Sequence, residues 1–205
     1  MIELDLPLEE DDVTATELHE AIKDLISNGL AYRLSGQALV ISDIFLFAQG
    51  RQVSPDVMVR FRVSAGQRTR YIVDDEGVPE VTIEVLSPVN HTTVGLVKLQ
   101  EKRDLFGAIG VAEHLEIDFT SGSVQVWEAT DSGVLRSRSV GTEGVCRRLD
   151  VTFRFVEGAF EAVDADCRLF ETAEAGFRRA DTEAARAASY RALFERHGID
   201  PDAEA

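Results

Sequence analysis

The 205-residue chain is short of cysteine, tryptophan and positive charge, and each shortage narrows what the protein can be. Its two cysteines, Cys146 and Cys167, belong to no CxxC or Cys/His cluster, which argues against a zinc site. They read as reduced, buried residues of an intracellular protein, with a single disulfide left open. No stretch approaches the roughly 20 apolar residues of a membrane span. The first residues, MIELDLPLEEDD, are acidic and carry no basic leader, so they do not read as a secretory signal, and the expected location is the cytoplasm. Lys and Arg number 21 against 37 Asp and Glu, giving a formal net charge of −16. That argues against a general polyphosphate-binding surface, so a nucleic-acid substrate would need local basic residues or a metal. There is no GxGxxG or GxxxxGK[ST] loop to cradle phosphates. There is no GxSxG elbow, and the histidines at 19, 91, 114 and 197 are scattered, which suggests no catalytic triad.

What is present is an ordinary globular balance, 44% hydrophobic and 28% charged, in a chain long enough for one domain with a sizeable core. Residues 14–28 have the spacing of a helix, with Thr14 and Glu17 as a capping box, Gly29 as its end, and Leu18, Ala21, Ile22, Leu25 and Ile26 as its stripe. Glu20 falls off that stripe and reads first as a solvated charge. AYRLSGQALVI (31–41) suggests a hairpin around Ser35-Gly36. VMVRFRV (57–63) alternates as a strand, 70–75 reads as a short strand or loop, and VTIEVL (81–86) is a strand ending at Ser87-Pro88. Residues 94–108 form a helix closed by Gly110. Strands follow at 113–119, 123–129 and 134–140, then a hairpin over 149–165 around Glu157-Gly158. An alanine-rich, doubly charged tail over 174–196 reads as a helix, packed on its own domain or seeking a partner. The order predicts an α/β (α+β) fold, a mixed central sheet flanked by helices, with a domain over 1–170 and a helical tail over 171–205.

Three residues break the local pattern. Glu84 interrupts a nearly continuous apolar run whose character suits a central strand covered on both faces, where an unpaired charge is costly. Asp56 follows Pro55 at the start of the 57–63 strand. It reads as a turn aspartate or, beside Glu84, as half of a carboxylate pair able to bind a hard divalent cation. Lys102 falls within the inward stripe of Leu99, Phe106 and Ile109 on its helix, where a lysine snorkels out or meets a buried charge. Lys98, one turn earlier, is its rival. Two carboxylates and a lysine make a metal-assisted hydrolase site: the carboxylates hold Mg²⁺ or Mn²⁺, and the lysine positions water or offsets developing charge.

The segments SPDVMV (54–59), VPEVTIEVLSPVN (78–90) and EKRDLFGAIGVAEHLEIDF (101–119) resemble the Uma family of putative restriction endonucleases, within the PD-(D/E)XK nuclease superfamily. The combination of Glu-Val-Leu-Ser-Pro, Lys-Arg-x-Leu-aromatic and Gly-Val-x-Glu at this spacing carries the resemblance, which covers roughly residues 14–165. It implies a restriction-endonuclease-like fold with Asp56 and Glu84 as metal ligands and the backbone carbonyl of Val85 as a third. The superfamily lysine, normally two residues after the acidic residue, is replaced here by Leu86, and the resemblance places its counterpart at Lys102. Glu80 matches a position that is often Asp, either a supporting carboxylate or a surface residue. Phe106 and His114 stand where the family has Tyr, and Phe119 follows Asp118 where it has Pro.

The implied function is a Mg²⁺-dependent endonuclease that hydrolyses DNA phosphodiesters with metal-activated water. A non-catalytic binding or scaffold module that kept the fold is the reading from another class, and the acidic charge favours it. Homodimerisation through the outer strands or the tail is compatible with the sequence.

Overall fold

The computed structural model describes residues 8–63 and 68–171, with side chains from residue 15 onward. All of these but Glu171 belong to the unit Met1–Phe170. A long helix, α1 (Leu8–Arg33), is followed by strands β1 (Ala38–Ser42), β2 (Leu46–Ala48), β3 (Arg51–Val53), β4 (Val57–Phe61) and β5 (Tyr71–Ile72) and a single helical turn, α2 (Val73–Glu76). Next come β6 (Val81–Leu86), a 3₁₀ turn (Pro88–His91), helix α3 (Thr93–Ile109), and strands β7 (Glu113–Asp118), β8 (Ser123–Ala129) and β9 (Leu135–Gly141). The described part closes with β10 (Glu143–Cys146), β11 (Val151–Val156) and β12 (Ala159–Asp164).

Six strands make the central sheet in the order β1-β4-β6-β7-β8-β9. β6 and β7 run parallel, and the other neighbours run antiparallel. A parallel pair needs a crossover, and α3 supplies it. β10-β11-β12 and β3-β2-β5 form two smaller sheets. The class is the mixed α/β one expected, with the central sheet between α1 on one face and α3 on the other.

Period-two alternation separates the two faces. Val57, Val59, Ile83, Val85, Leu115 and Ile117 pack with Ile22, Ile26 and Leu30 of α1 and with Val151 and Phe153 of β11. The opposite face combines apolar Met58 with buried Thr82, Glu84, His114 and Glu116, beneath Leu105 and Phe106 of α3. β6 is buried at all six positions, as its continuous apolar run requires.

The helix expected over 14–28 runs further at both ends, so Thr14 lies inside it and not at its start. Gly29 does not end it. A Cβ added there would lie 2.2 Å from the Phe170 ring, so the glycine admits an aromatic side chain against the helix. The hairpin expected over 31–41 is not formed: residues 31–33 complete α1, and 38–41 pair with β4. α1 keeps going because Ile26, Leu30 and Leu34 continue its buried stripe, which outweighs the local turn signal. β2, β3 and β10, too short to show periodicity, had no counterpart in the sequence reading. Gly110 closes α3 in the left-handed region (φ 89°), and Thr92 caps its start by accepting the Gly95 N–H. Glu157 and Gly158, both at positive φ, turn the β11–β12 hairpin where expected. The 174–196 tail lies outside the described residues.

Glu113, at the start of β7, joins the central sheet to the strands beyond it. Its carboxylate is buried and accepts from Arg138 Nη1 (2.5 Å), the Arg148 N–H (2.6 Å), the Arg147 N–H (3.2 Å) and the Cys146 thiol (3.2 Å). Burial raises its pKa, but these donors outweigh burial and hold the carboxyl below its ordinary 4.5. Removing the carboxylate strands several buried donors, so Glu113→Ala is expected to cost about 3–5 kcal/mol in urea unfolding. Because the folded pKa is depressed, this contribution is complete above about pH 4.5 and is lost as pH falls through the folded value. The wild-type stability advantage over Glu113→Ala should therefore shrink below pH 4.5, and a gap that stays constant into acid would contradict the assignment.

Candidate metal centre

The antiparallel register pairs Val57 with Ile83 and Met58 with Thr82. Continued by one residue, it sets Asp56 opposite Glu84 and on the same face of the sheet. α3 crosses that face and lowers Lys102 onto it.

Glu84 is 3% exposed. One carboxylate oxygen, Oε2, accepts from Lys102 Nζ at 2.6 Å, and the same ammonium donates to the Ser54 carbonyl at 2.8 Å. The other oxygen, Oε1, is buried and has no hydrogen-bond partner. Burial pushes the Glu84 carboxyl up to about 8, the attraction of Lys102 reversing only part of the shift, and Asp56 and Glu116 add repulsion.

Asp56 Oδ2 accepts the Val85 N–H at 2.7 Å and lies 3.3 Å from His19 Nε2. Burial raises its pKa, but His19 and the Val85 N–H outweigh this and hold it below the usual carboxylate range. The Asp56 contact in turn raises His19. Val85 thus meets Asp56 through its backbone N–H, while its side chain sits in the core beneath α1.

A second buried carboxylate adjoins the first. Glu116 on β7 pairs in register with Glu84 on β6. It accepts from Arg103 Nη1 at 2.7 Å and from Trp127 Nε1 at 3.3 Å, and His114 Nε2 approaches to 3.5 Å. Burial raises its pKa, but His114 and Arg103 hold it below the ordinary value. The neighbouring cations Lys102 and Arg103 therefore serve neighbouring carboxylates, one on each parallel strand.

The structure brings Asp56, Glu84, Val85 and Lys102 together. Lys98 is exposed, and Lys102 is the lysine that reaches Glu84. Glu80, just before β6, lies four residues from Glu84, about 13 Å away. It accepts from Arg60 Nη1 (2.5 Å) and the Phe61 N–H (2.8 Å), tying β6 to β4. Glu20 is half exposed and pairs with Lys23 (2.5 Å) and His19 (3.3 Å). Sequence reasoning missed His19, although it continues the Ile22-Ile26-Leu30 spacing of α1. It also missed Glu116, although Leu-Glu-Ile at 115–117 repeats the Ile-Glu-Val pattern of 83–85.

Among the described residues no cluster of three or more His, Cys, Asp and Glu side chains is placed to hold a metal. The centre instead offers two carboxylates, one with an unpartnered buried oxygen, a hard-oxygen set that fits a divalent cation such as Mg²⁺ or Mn²⁺. Also among the described residues, no helix is long and apolar enough to cross a membrane.

No functionally curated protein matches the chain. A crystal structure of a putative nuclease belonging to DUF820 from Anabaena variabilis ATCC 29413, at 1.96 Å resolution, is similar at 16% identity with a TM-score of 0.49. The match covers 62% of this chain and 70% of that one. The family model of Uma2, described as "putative restriction endonuclease", matches residues 10–155, the span that holds Asp56, Glu84, Lys102 and the whole central sheet. The chain belongs to the Uma2 family.

Proposed function

We propose that the protein is a divalent-cation-dependent endonuclease that hydrolyses phosphodiester bonds in DNA. The observation that carries this reading is Glu84 Oε1, a buried carboxylate oxygen with no partner beside a second carboxylate. A protein rarely leaves such an atom unsatisfied without a use for it. Asp56 and Glu84 would hold Mg²⁺ or Mn²⁺, with the Val85 carbonyl as a further oxygen donor. When bound, the cation supplies a polarised phosphoryl oxygen and a water of lowered pKa.

The chain's own residues do the rest. Lys102, fixed between Glu84 and the Ser54 carbonyl, holds a positive charge where negative charge develops on the phosphoryl group. His19 and the Val85 N–H orient Asp56 and keep it ionised. α3 shields this face of the sheet from water, which strengthens each of these interactions. With a net charge of −16, grip on a phosphate comes from Lys102 and the cation rather than from the general surface. The same charge favours the other reading, a binding module that retains the fold without catalysis.

Plasmid cleavage with Mg²⁺ or Mn²⁺ separates the two. Wild type should nick or linearise DNA, and Glu84→Ala and Lys102→Ala should each lose roughly 10²-fold or more in rate while remaining folded by circular dichroism. Well-folded wild type without metal-dependent cleavage would favour the module.

Stability tests the cation site without catalysis. Folded Glu84 keeps its proton up to about pH 8, whereas the unfolded chain loses it near 4.5, so its contribution to stability falls as pH rises between these values. The melting temperature of Glu84→Gln relative to wild type should therefore climb across that window in EDTA. Mn²⁺ at pH 8 should raise the melting temperature of wild type and leave that of Glu84→Gln unmoved. Equal shifts in both proteins would place the cation elsewhere.

A further inference from the structure

A cleft of about 220 Å³ opens on the same face of the sheet as Glu84, between α3 and the β8–β9 turn. Gln100, Arg103, Asp104, Trp127 and Val134 line it. We propose that this cleft takes one nucleobase of the substrate strand, unstacked from its neighbours, and thereby sets which nucleotide lies beside the cut. The inference rests on the nuclease reading and adds to it a base-recognition site.

Position comes first. Glu84 pairs in register with Glu116, and Glu116 with Gln125 on β8; Trp127 lies two residues further along β8, opposite His114 and on the same face. The indole is thus two strand spacings, about 10 Å, across the sheet from β6 and about 7 Å along it. A nucleotide close to a phosphate held at Glu84 spans that distance. Arg103 also joins the two places: it follows Lys102 in the chain and binds Glu116, the neighbour of Glu84.

The chemistry of the wall selects the ligand. The Trp127 indole and the Arg103 guanidinium are both planar, and the guanidinium lies over one face of the indole, 4.6 Å from its centroid, so a base stacks on the outside of this pair and not between its members. Nucleobases stack on both kinds of surface. Gln100 bridges Asp104 (2.7 Å) and Arg103 (2.9 Å), which holds amide and carboxylate groups at the wall for a base edge. Arg103 is already neutralised by Glu116, and Asp104 adds a negative charge, so the cleft repels a phosphate and accepts a neutral polar ring. Its volume lies below the roughly 300–1,000 Å³ of sites for drug-sized ligands and suits a single base. Helix and turn close one side of the cleft: a Cβ on Gly107 of α3 would lie 2.9 Å from the Gly133 carbonyl, so the two backbones are in close contact.

Trp127 is the single tryptophan of the chain and reports on the cleft directly. The full-length protein is titrated with a short single-stranded DNA in Ca²⁺, with an abasic strand of equal length and with a free nucleoside monophosphate. The DNA strand should quench Trp127 emission to saturation. The abasic strand should not, and the mononucleotide should do so only at much higher concentration. Trp127→Ala should weaken binding of a labelled strand roughly 5- to 150-fold by anisotropy, and Trp127→Phe should restore most of it. Should Trp127→Ala misfold, Gln100→Ala with Asp104→Ala, both exposed on α3, should weaken the quench of the intact indole roughly 5-fold. Equal quenching by the abasic strand, or by the mononucleotide at the same concentration, would overturn the proposal. Metal-dependent cleavage with no change in emission would also overturn it and leave the nuclease reading intact. Saturable quenching without any cleavage would remove the nuclease reading and with it the role of the cleft in placing the cut, leaving only a base-binding cleft.

Discussion

A carboxylate carried into the dry centre of a sheet needs a compensating charge, and Glu84 sets much of what surrounds it. β6 is covered on both faces, so the carboxylate is shielded from bulk water. Lys102 reaches it from α3, and the Ser54 carbonyl fixes the far side of the same ammonium. The placement of α3 follows: the helix must cross from β6 to β7, and it must do so with Lys102 above Glu84. Leu105 and Phe106, buried on that helix, seal it against the sheet in the phase that keeps Lys102 inward.

The adjacent Glu116 makes the comparison that gives Glu84 its meaning. Both glutamates occupy the middle of buried parallel strands, and consecutive cations of α3 meet them. Glu116 is fully engaged, by Arg103, by the Trp127 indole and by the approach of His114, and its carboxyl sits low. Glu84 is engaged through one oxygen only, and its carboxyl sits high. Glu116 thus reads as part of the framework, and Glu84 as half of something left incomplete by the side chains alone. Asp56, held low and ionised on the facing strand, is the natural complement.

Much of the centre was legible in the chain because its signals are local. A strand buried on both faces must be continuously apolar, so Glu84 stood out. Lys102 stood out because helical phase puts it among Leu99, Phe106 and Ile109. Gly110 and Glu157-Gly158 showed where elements end because left-handed backbone is restricted to few residues. Other features depend on partners far along the sequence. Gly29 looks like a helix end until Phe170 is seen against it. Glu113 looks like an ordinary strand-start glutamate until Arg138, Arg147 and Arg148 converge on it. β2, β3 and β10 are held by pairing, and a strand of three or four residues has too little length to declare a period.

The sequence by itself therefore determined the alternation of strands and helices, the family, and the residue types at the centre, since these follow from periodicity and short motifs. Tertiary structure decided which lysine is used, Lys102 rather than Lys98, and that Glu80 fastens β4 to β6 rather than joining the centre. It also brought His19 to Asp56 and Arg103 to Glu116 and Trp127. The physical reason is that a charge acts over a few ångströms in space, whereas the residues that answer it lie 13 to 37 positions away in the chain. Only the pairing of strands and the crossing of α3 bring them within that range.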